Sequence, residues 1–231
     1  MIRFILVLTL CASQLSFGQE NEDIGKLNKP SLRVSCLGQW QGDQLFLQLR
    51  SNTNDKPKTH KIDILDMGYS APIPHKRGRP VLFVKETGDS EKPYELVLKA
   101  NIPASVKSPL VLLIPRKDKI IYRVFDLDPN KFPFGSCQMV NYSSHNLRIA
   151  IDDDAKGLKP LQTHIFPAAK KKAKTAWLRA AVEPKGKLVF TSMTTRRAGK
   201  RVIVFFINGK EGELVSTRML VDFKPAIKKK P

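Results

Sequence analysis

The sequence predicts an all-β protein: two tandem β-sandwich modules, or one large sandwich, behind an export signal. Three observations carry that expectation. Short apolar or alternating runs recur along the chain, bounded by Gly, Pro, Asn and Asp turns. No stretch sustains a helical period. A break at Asp128-Pro129-Asn130, with a second turn-rich entry at Phe132-Pro133-Phe134-Gly135, divides the runs into two sets of about six strands.

The elements follow in order. Met1-Ile2-Arg3, an apolar run from Phe4 to Ala12 and the small residues Ser16 and Gly18 predict a secretory signal cut after Gly18. The alternative is a buried N-terminal strand; the run is too short for a bilayer, which takes ~20 apolar residues. Leu8-Thr9-Leu10-Cys11 fits a lipoprotein site poorly, because Leu10 is not small. Residues 19–30 read as a flexible start. Leu32 to Leu37 alternates as a half-buried strand, and Leu45, Leu47 and Leu49 mark one face of a second. Lys61 to Leu65 is a short strand, and Tyr69 to Pro80, with three prolines, is an extended surface segment. Val81–Lys85, Tyr94–Lys99 and Leu110–Ile114 are strands, the last joined to Ile120–Leu127 at hairpin distance.

Beyond the break, Cys137–Tyr142 and Leu147–Ile151 flank Ser143-Ser144-His145-Asn146, which predicts a hairpin. Asp152 to Gly157 reads as an acidic turn. Trp177–Val182 and Leu188–Met193 form the next pair. Val202–Ile207 has no polar interruption and predicts a central strand buried on both faces. Asn208-Gly209 is the best hairpin signal, with Leu214–Val221 returning. The expected division is a signal at 1–18, a first module at 31–127, a linker at 128–135, a second module at 136–223 and a basic disordered tail at 224–231.

Composition narrows the chemistry. A hydrophobic content of 42% can fill a core. The formal charge of +19 becomes +18 once Arg3 leaves with the signal, so the surface attracts polyanions in a salt-dependent way. Export points to a periplasmic, extracellular or outer-envelope location, and to acidic envelope components or proteins rather than nucleic acid. Contact with a membrane surface is compatible with the charge. Cys36 and Cys137 remain after cleavage, open either to one disulfide worth roughly 4–5 kcal/mol on the chain-entropy model or to burial as two thiols in apolar strands.

Candidate catalytic and metal sets are thin. Cys137, Met139, His145 and His164 are the residue types of a copper site, without the usual order. Cys137 with His145 or His164 lacks a nucleophile signature. Asp152-Asp153-Asp154 lacks the glycine and distal glutamate of a calcium loop. No carboxylate pair, serine elbow, phosphate-cradling loop or zinc spacing stands out, so no catalytic residue, metal or cofactor is assigned. What stands out is cationic: His75 to Arg79 (Lys76, Arg77, Arg79), Lys170 to Lys174 (Lys170, Lys171, Lys172, Lys174), Arg196 to Arg201 (Arg196, Arg197, Lys200, Arg201), and Lys228 to Lys230. All fall at predicted turns or the tail, and turns at one end of a sandwich lie close together. The alternative is dispersed charge that serves solubility. The Lys170 run has no interleaved aromatics for stacking bases.

Tyr69-Ser70-Ala71-Pro72, Pro80-Val81-Leu82-Phe83-Val84 and Leu110 to Pro115 precede a Pro-x-Gly-Ser entry at Pro133–Ser136 and a Val-Asn-x-Ser strand at Val140–Ser143. With these the chain resembles small exported β-sandwich proteins of unassigned function from planctomycete and verrucomicrobial bacteria. The resemblance implies immunoglobulin-like modules and an exported address, and carries no site residues. The expected role is a non-enzymatic envelope binding protein that presents its cationic turns to acidic glycans, lipids or proteins. The alternative is an assembly factor that pairs through exposed strand edges. A hydrolase is a distant third.

Overall fold

A computed structural model describes residues 31–49, 57–117, 119–168, 175–184, 186–194, 199–210 and 212–224. The expected export signal, the expected flexible start, and the expected tail apart from Lys224 lie outside them. The described residues form sixteen strands and no helix.

The first eight are β1 (Ser31–Cys36), β2 (Phe46–Leu49), β3 (Lys58–Lys61), β4 (Ile73–Pro74), β5 (Val81–Glu86), β6 (Tyr94–Ala100), β7 (Pro109–Pro115) and β8 (Ile120–Asp126). They make two sheets, β4-β1-β7-β8 and β3-β2-β5-β6. The second eight are β9 (Cys137–Asn141), β10 (Leu147–Ile151), β11 (Asp154–Leu158), β12 (Thr163–Phe166), β13 (Ala176–Val182), β14 (Lys187–Thr194), β15 (Lys200–Asn208) and β16 (Val215–Phe223). Their sheets are β12-β9-β15-β16 and β11-β10-β13-β14.

Adding eight to every strand number of the first module reproduces the second. The pairing senses agree as well. β1 runs parallel to β7 and β9 parallel to β15, whereas β1–β4 and β9–β12 are antiparallel. Each β5–β6 or β13–β14 ladder carries one register shift, at Phe83/Val84 and at Ala180/Ala181. The bond from Leu127 N to Ser108 O has its counterpart in Lys224 N to Gly199 O. The chain is an internal duplication of an eight-stranded β-sandwich.

Three apolar layers hold the four sheets together. Val34, Cys36, Leu47, Phe83, Val111 and Leu113 fill the first sandwich. Met139, Ile149, Leu178, Val204 and Phe206 fill the second. Between the modules, Leu110, Leu112 and Ile114 of β7 and Phe125 of β8 pack on Val140, Ile203, Phe205 and Leu220. Phe125 and Phe205 meet edge to face, with centroids 5.8 Å apart. The modules therefore stack through like sheets. Successive β-strand side chains point to opposite faces, so β7 and β15, each between two apolar layers, must be apolar at both parities. That is why Leu110–Ile114 and Val202–Phe206 have no polar interruption and are buried throughout.

Several expectations need correction. Each module has eight strands rather than six. Of the expected acidic turn at Asp152 to Gly157, only Asp152 and Asp153 turn; Asp154 to Gly157 belong to the edge strand β11 against β10. Lys61–Leu65 is not the third strand; β3 ends at Lys61. Cys137–Asn141 and Leu147–Ile151 are not a hairpin, because β9 and β10 belong to different sheets. Asn141 stitches that crossing: its Nδ2 donates to His145 O (2.8 Å) and Leu158 O (2.9 Å), and its Oδ1 accepts from Ser143 N (3.0 Å). Tyr69–Pro80 is not simply surface, since Ile73 pairs with Leu32 and Ser70 and His75 are buried. The turn at Asn208-Gly209 widens to residues 209–214, with Asn208 opposite Val215. Of the two readings left open for the cysteines, burial is the one seen: Cys36 and Cys137 are not bonded to each other and sit in different apolar layers.

Candidate functional site

The strand registers decide where the cationic turns go. Val81 pairs with Ala100, and Pro109 with Asp126, so the connections into β5, out of β6 and into β7 leave one end of the first module. Ala176 pairs with Thr194 and Lys200 with Phe223, giving the same arrangement in the second. The turn at Lys76–Arg79 closes by Arg79 N donating to Lys76 O (3.2 Å), with Gly78 at φ +71°, as a type II turn requires at its third residue. This turn touches the next connection, since a Cβ added at Gly78 would lie 3.2 Å from the Ala104 Cβ.

The contacts continue without a gap into the second module. Ser105 O accepts from Lys131 Nζ (3.1 Å), which also binds Asp126 Oδ2 (2.8 Å). Lys131 lies in the connection that starts with Lys131 N and Phe132 N donating to Asp128 O. That connection ends with Gly135 N donating to Lys200 O (2.6 Å), and Gly199 O then accepts from Lys224 N (2.7 Å). Lys76, Arg77 and Lys224 are exposed on this continuous end, and Arg79 and Lys200 half-buried. Lys170, Lys171, Lys172, Lys174, Arg196 and Arg197, with Lys228 to Lys230, lie outside the described residues. Lys107 and Lys131 face Asp128 and Asp126, so they add little free positive charge. Burial would raise Asp126, but the Lys131 side chain and the Ser108 and Asp128 amides outweigh it and hold this carboxyl below its ordinary value.

Arg201 does not belong to the cationic surface. Its side chain is 4% exposed. It donates from Nε to Asp222 Oδ2 (2.8 Å) and from Nη1 to Phe132 O (2.6 Å), and lies over the Phe132 and Phe134 rings. Register explains the burial: Arg201 stands directly opposite Asp222 on β16, on the side that faces the first module. Asp222 Oδ1 also accepts from Arg33 Nη1 of β1 (3.1 Å), and Arg33 lies over Tyr69. One carboxylate thus holds two arginines, one from each module. Burial, then the nearby Asp222, pushes the Tyr69 hydroxyl well above its ordinary value. His75, counted with its basic neighbours in sequence, is also buried, and that burial pulls its imidazole below the ordinary 6.5.

The catalytic and metal candidates are not brought together. Cys137 opens β9 and is buried, whereas His145 lies beyond the far end of that strand. His164 pairs with Met139 and sets its ring edge-on to Phe166 at 4.8 Å. Met139 is core filling. Asp152 shapes a turn, at φ 52° with its Oδ1 accepting from Trp177 N. Among the described residues no three His, Cys, Asp or Glu side chains converge on a metal-sized point. Burial, then Asp66, pushes the Cys36 thiol up to about 11. Two open clefts lie at the opposite end. One of about 440 Å³ is lined by Trp40, Gln44, Ile62 and Leu65, and one of about 300 Å³ by Leu188, Glu213 and Thr217.

Sequence reasoning missed the apolar residues of the cationic end. Trp177 and Met193 pair on the outer face of their sheet, 47% and 62% exposed, and Phe223 ends β16 at 69%. The signal was available, because Trp177 and Arg179 alternate with the buried Leu178 and Ala180 and so must face solvent.

No known family model matches the chain, and no curated protein is significantly similar to it. No helix among the described residues is long and apolar enough to cross a membrane.

Proposed function

We propose that the protein is an exported, envelope-associated binding protein that offers this cationic end to an acidic envelope component. The observation that carries the reading is the unbroken contact path from Gly78 through Ala104, Lys131 and Lys200 to Lys224, which joins turns from both modules into one end. Clustered cations raise the local concentration of a polyanion more than the same charges dispersed, and the attraction weakens as salt shortens the screening length. The leader-like first eighteen residues support the exported address.

Retention on a heparin matrix across a salt gradient tests this. Lys76→Glu, Arg77→Glu, Lys200→Glu and Lys224→Glu together should move elution to much lower salt. Arg116→Glu, Lys117→Glu, Lys187→Glu and Lys210→Glu, exposed at the opposite end and equal in charge change, should shift it little. Equal effects from the two sets would mean that net charge alone governs retention, and the proposal would be wrong.

A further inference from the structure

The cationic end of the second module carries more apolar surface than a polyanion site needs. Among the described residues, the two exposed aromatic side chains of the large apolar set, Trp177 and Phe223, are both here, and Met193 pairs with Trp177. Cations lie beside them. Lys200 stands opposite Phe223 in the β15–β16 ladder and Lys224 follows it, while Arg179 lies two residues from Trp177 on the same outer face. Val221 and Phe223 share a face, but only Val221 is drawn against the core, so Phe223 projects past the end of the sandwich. The exposed acidic residues Asp152 to Asp154 flank Trp177 on the β10 side, and at this end the β14 and β16 side has no exposed carboxylate among the described residues, Glu183 and Glu213 lying at the opposite end.

We propose that this end of the second module docks on a bilayer carrying anionic headgroups, with Trp177, Met193 and Phe223 entering the interface and Lys200, Lys224 and Arg179 at headgroup level. The inference rests on the cationic-end reading and names its partner. Charge alone fits a glycan as well as a lipid. The aromatic and thioether side chains decide for the lipid, because indole and phenyl rings settle at the membrane–water boundary, and apolar insertion together with basic residues is what holds a peripheral protein there. The acidic turn is repelled by such a surface, so the contact falls on the β14–β16 side.

The test uses the chain from Gln19 onward as a Trp40→Phe variant, so that Trp177 is the only tryptophan. It is mixed with phosphatidylcholine vesicles with and without phosphatidylglycerol. Trp177 emission should shift to the blue, and brominated acyl chains should quench it, with the anionic vesicles only. Met193→Ser with Phe223→Ser should weaken partitioning about tenfold or more, with heparin retention and far-UV circular dichroism unchanged. A Trp177→Phe variant, leaving Trp40 at the opposite end, should show no shift. If Trp177 emission stays put, or the double variant binds vesicles as well as its parent, the membrane inference is overturned while heparin retention keeps the broader reading. Loss of both vesicle binding and heparin retention overturns the two together.

Discussion

Asp222→Asn is the sharpest perturbation this fold offers. The substitution removes the one negative charge shared by Arg201, whose side chain is 4% exposed, and Arg33, at 31%. Arg33 can turn toward water. Arg201 cannot, because Phe132, Phe134 and the inter-module layer enclose it. Stripping the partner from a buried charge costs about 3–5 kcal/mol, and an m-value of roughly 2–3 kcal/mol/M for a chain of this size turns that into a fall in urea midpoint of about 1–2.5 M. The double variant Arg201→Met with Asp222→Leu removes both desolvated charges. What remains is the Phe132 carbonyl without its Arg201 donor, about 1–3 kcal/mol. The double variant should therefore be more stable than Asp222→Asn alone. Urea titrations followed by tryptophan fluorescence at neutral pH and high salt measure the parent, Asp222→Asn, the double variant and its two components, Arg201→Met and Asp222→Leu. An Asp222→Asn cost below about 1 kcal/mol, or a double variant that loses the sum of the two single changes, would refute the claim that a buried, mutually dependent ion cluster ties the modules together.

Three further outcomes follow from the same geometry. Phe205→Ala should cost about 3–5 kcal/mol; in its parent Trp40 and Trp177, one in each module, should report a single urea midpoint, since separate midpoints would mean that the inter-module layer does not couple the sandwiches. His75 is buried neutral with its Nε2 unpaired among the described residues, and its pKa is lowered by folding. Its contribution is thus complete above about pH 6.5 and declines as pH falls through that value, by at most about 1.4 kcal/mol per unit. The urea midpoint should drop between pH 7.5 and 5.5 in the parent more than in His75→Gln, and equal drops would count against it. The Cys36 thiol, raised to about 11, should resist alkylation at pH 8 in the folded protein and react once urea unfolds it; rapid labelling of the folded chain would contradict its burial.

The sequence made the central strands plain and the edges obscure. Val202–Ile207 and Leu110–Ile114 sit between two apolar layers, so both parities are apolar and no slip in register can disguise them. β4, β11 and β12 were hidden because an edge strand needs one row of backbone bonds and little apolar patterning. Ile73–Pro74 and Asp154–Leu158 show almost none. The false hairpin at Ser143–Asn146 arose because a short polar connection fits either a turn within one sheet or a crossing between two, and the choice rests on buried Asn141. At the candidate site, the gathering of turns at one end was foreseeable from the alternation of strands and connections. The fate of Arg201 was not, because exposure of one cation depends on a carboxylate far along the chain and on the ladder that sets them face to face. The duplication itself was obscured by divergence at equivalent positions. By register, Cys36 opposite Leu113 matches Met139 opposite Val204, two side chains of unlike shape that a reader of one sequence would not pair.

The stacking of like sheets has a genealogical consequence. Two copies of one module meeting through the same face is the contact of a twofold homodimer, in which every change must suit both sides of the axis at once. Fusion through the short connection at residues 128–135 lifts that condition. Asp222 could come to hold arginines of unequal burial, and one copy could acquire the exposed pair Trp177 and Met193 on the outer face of its β13–β14 ladder. The fused chain keeps the assembly of a dimer while its halves are free to specialise.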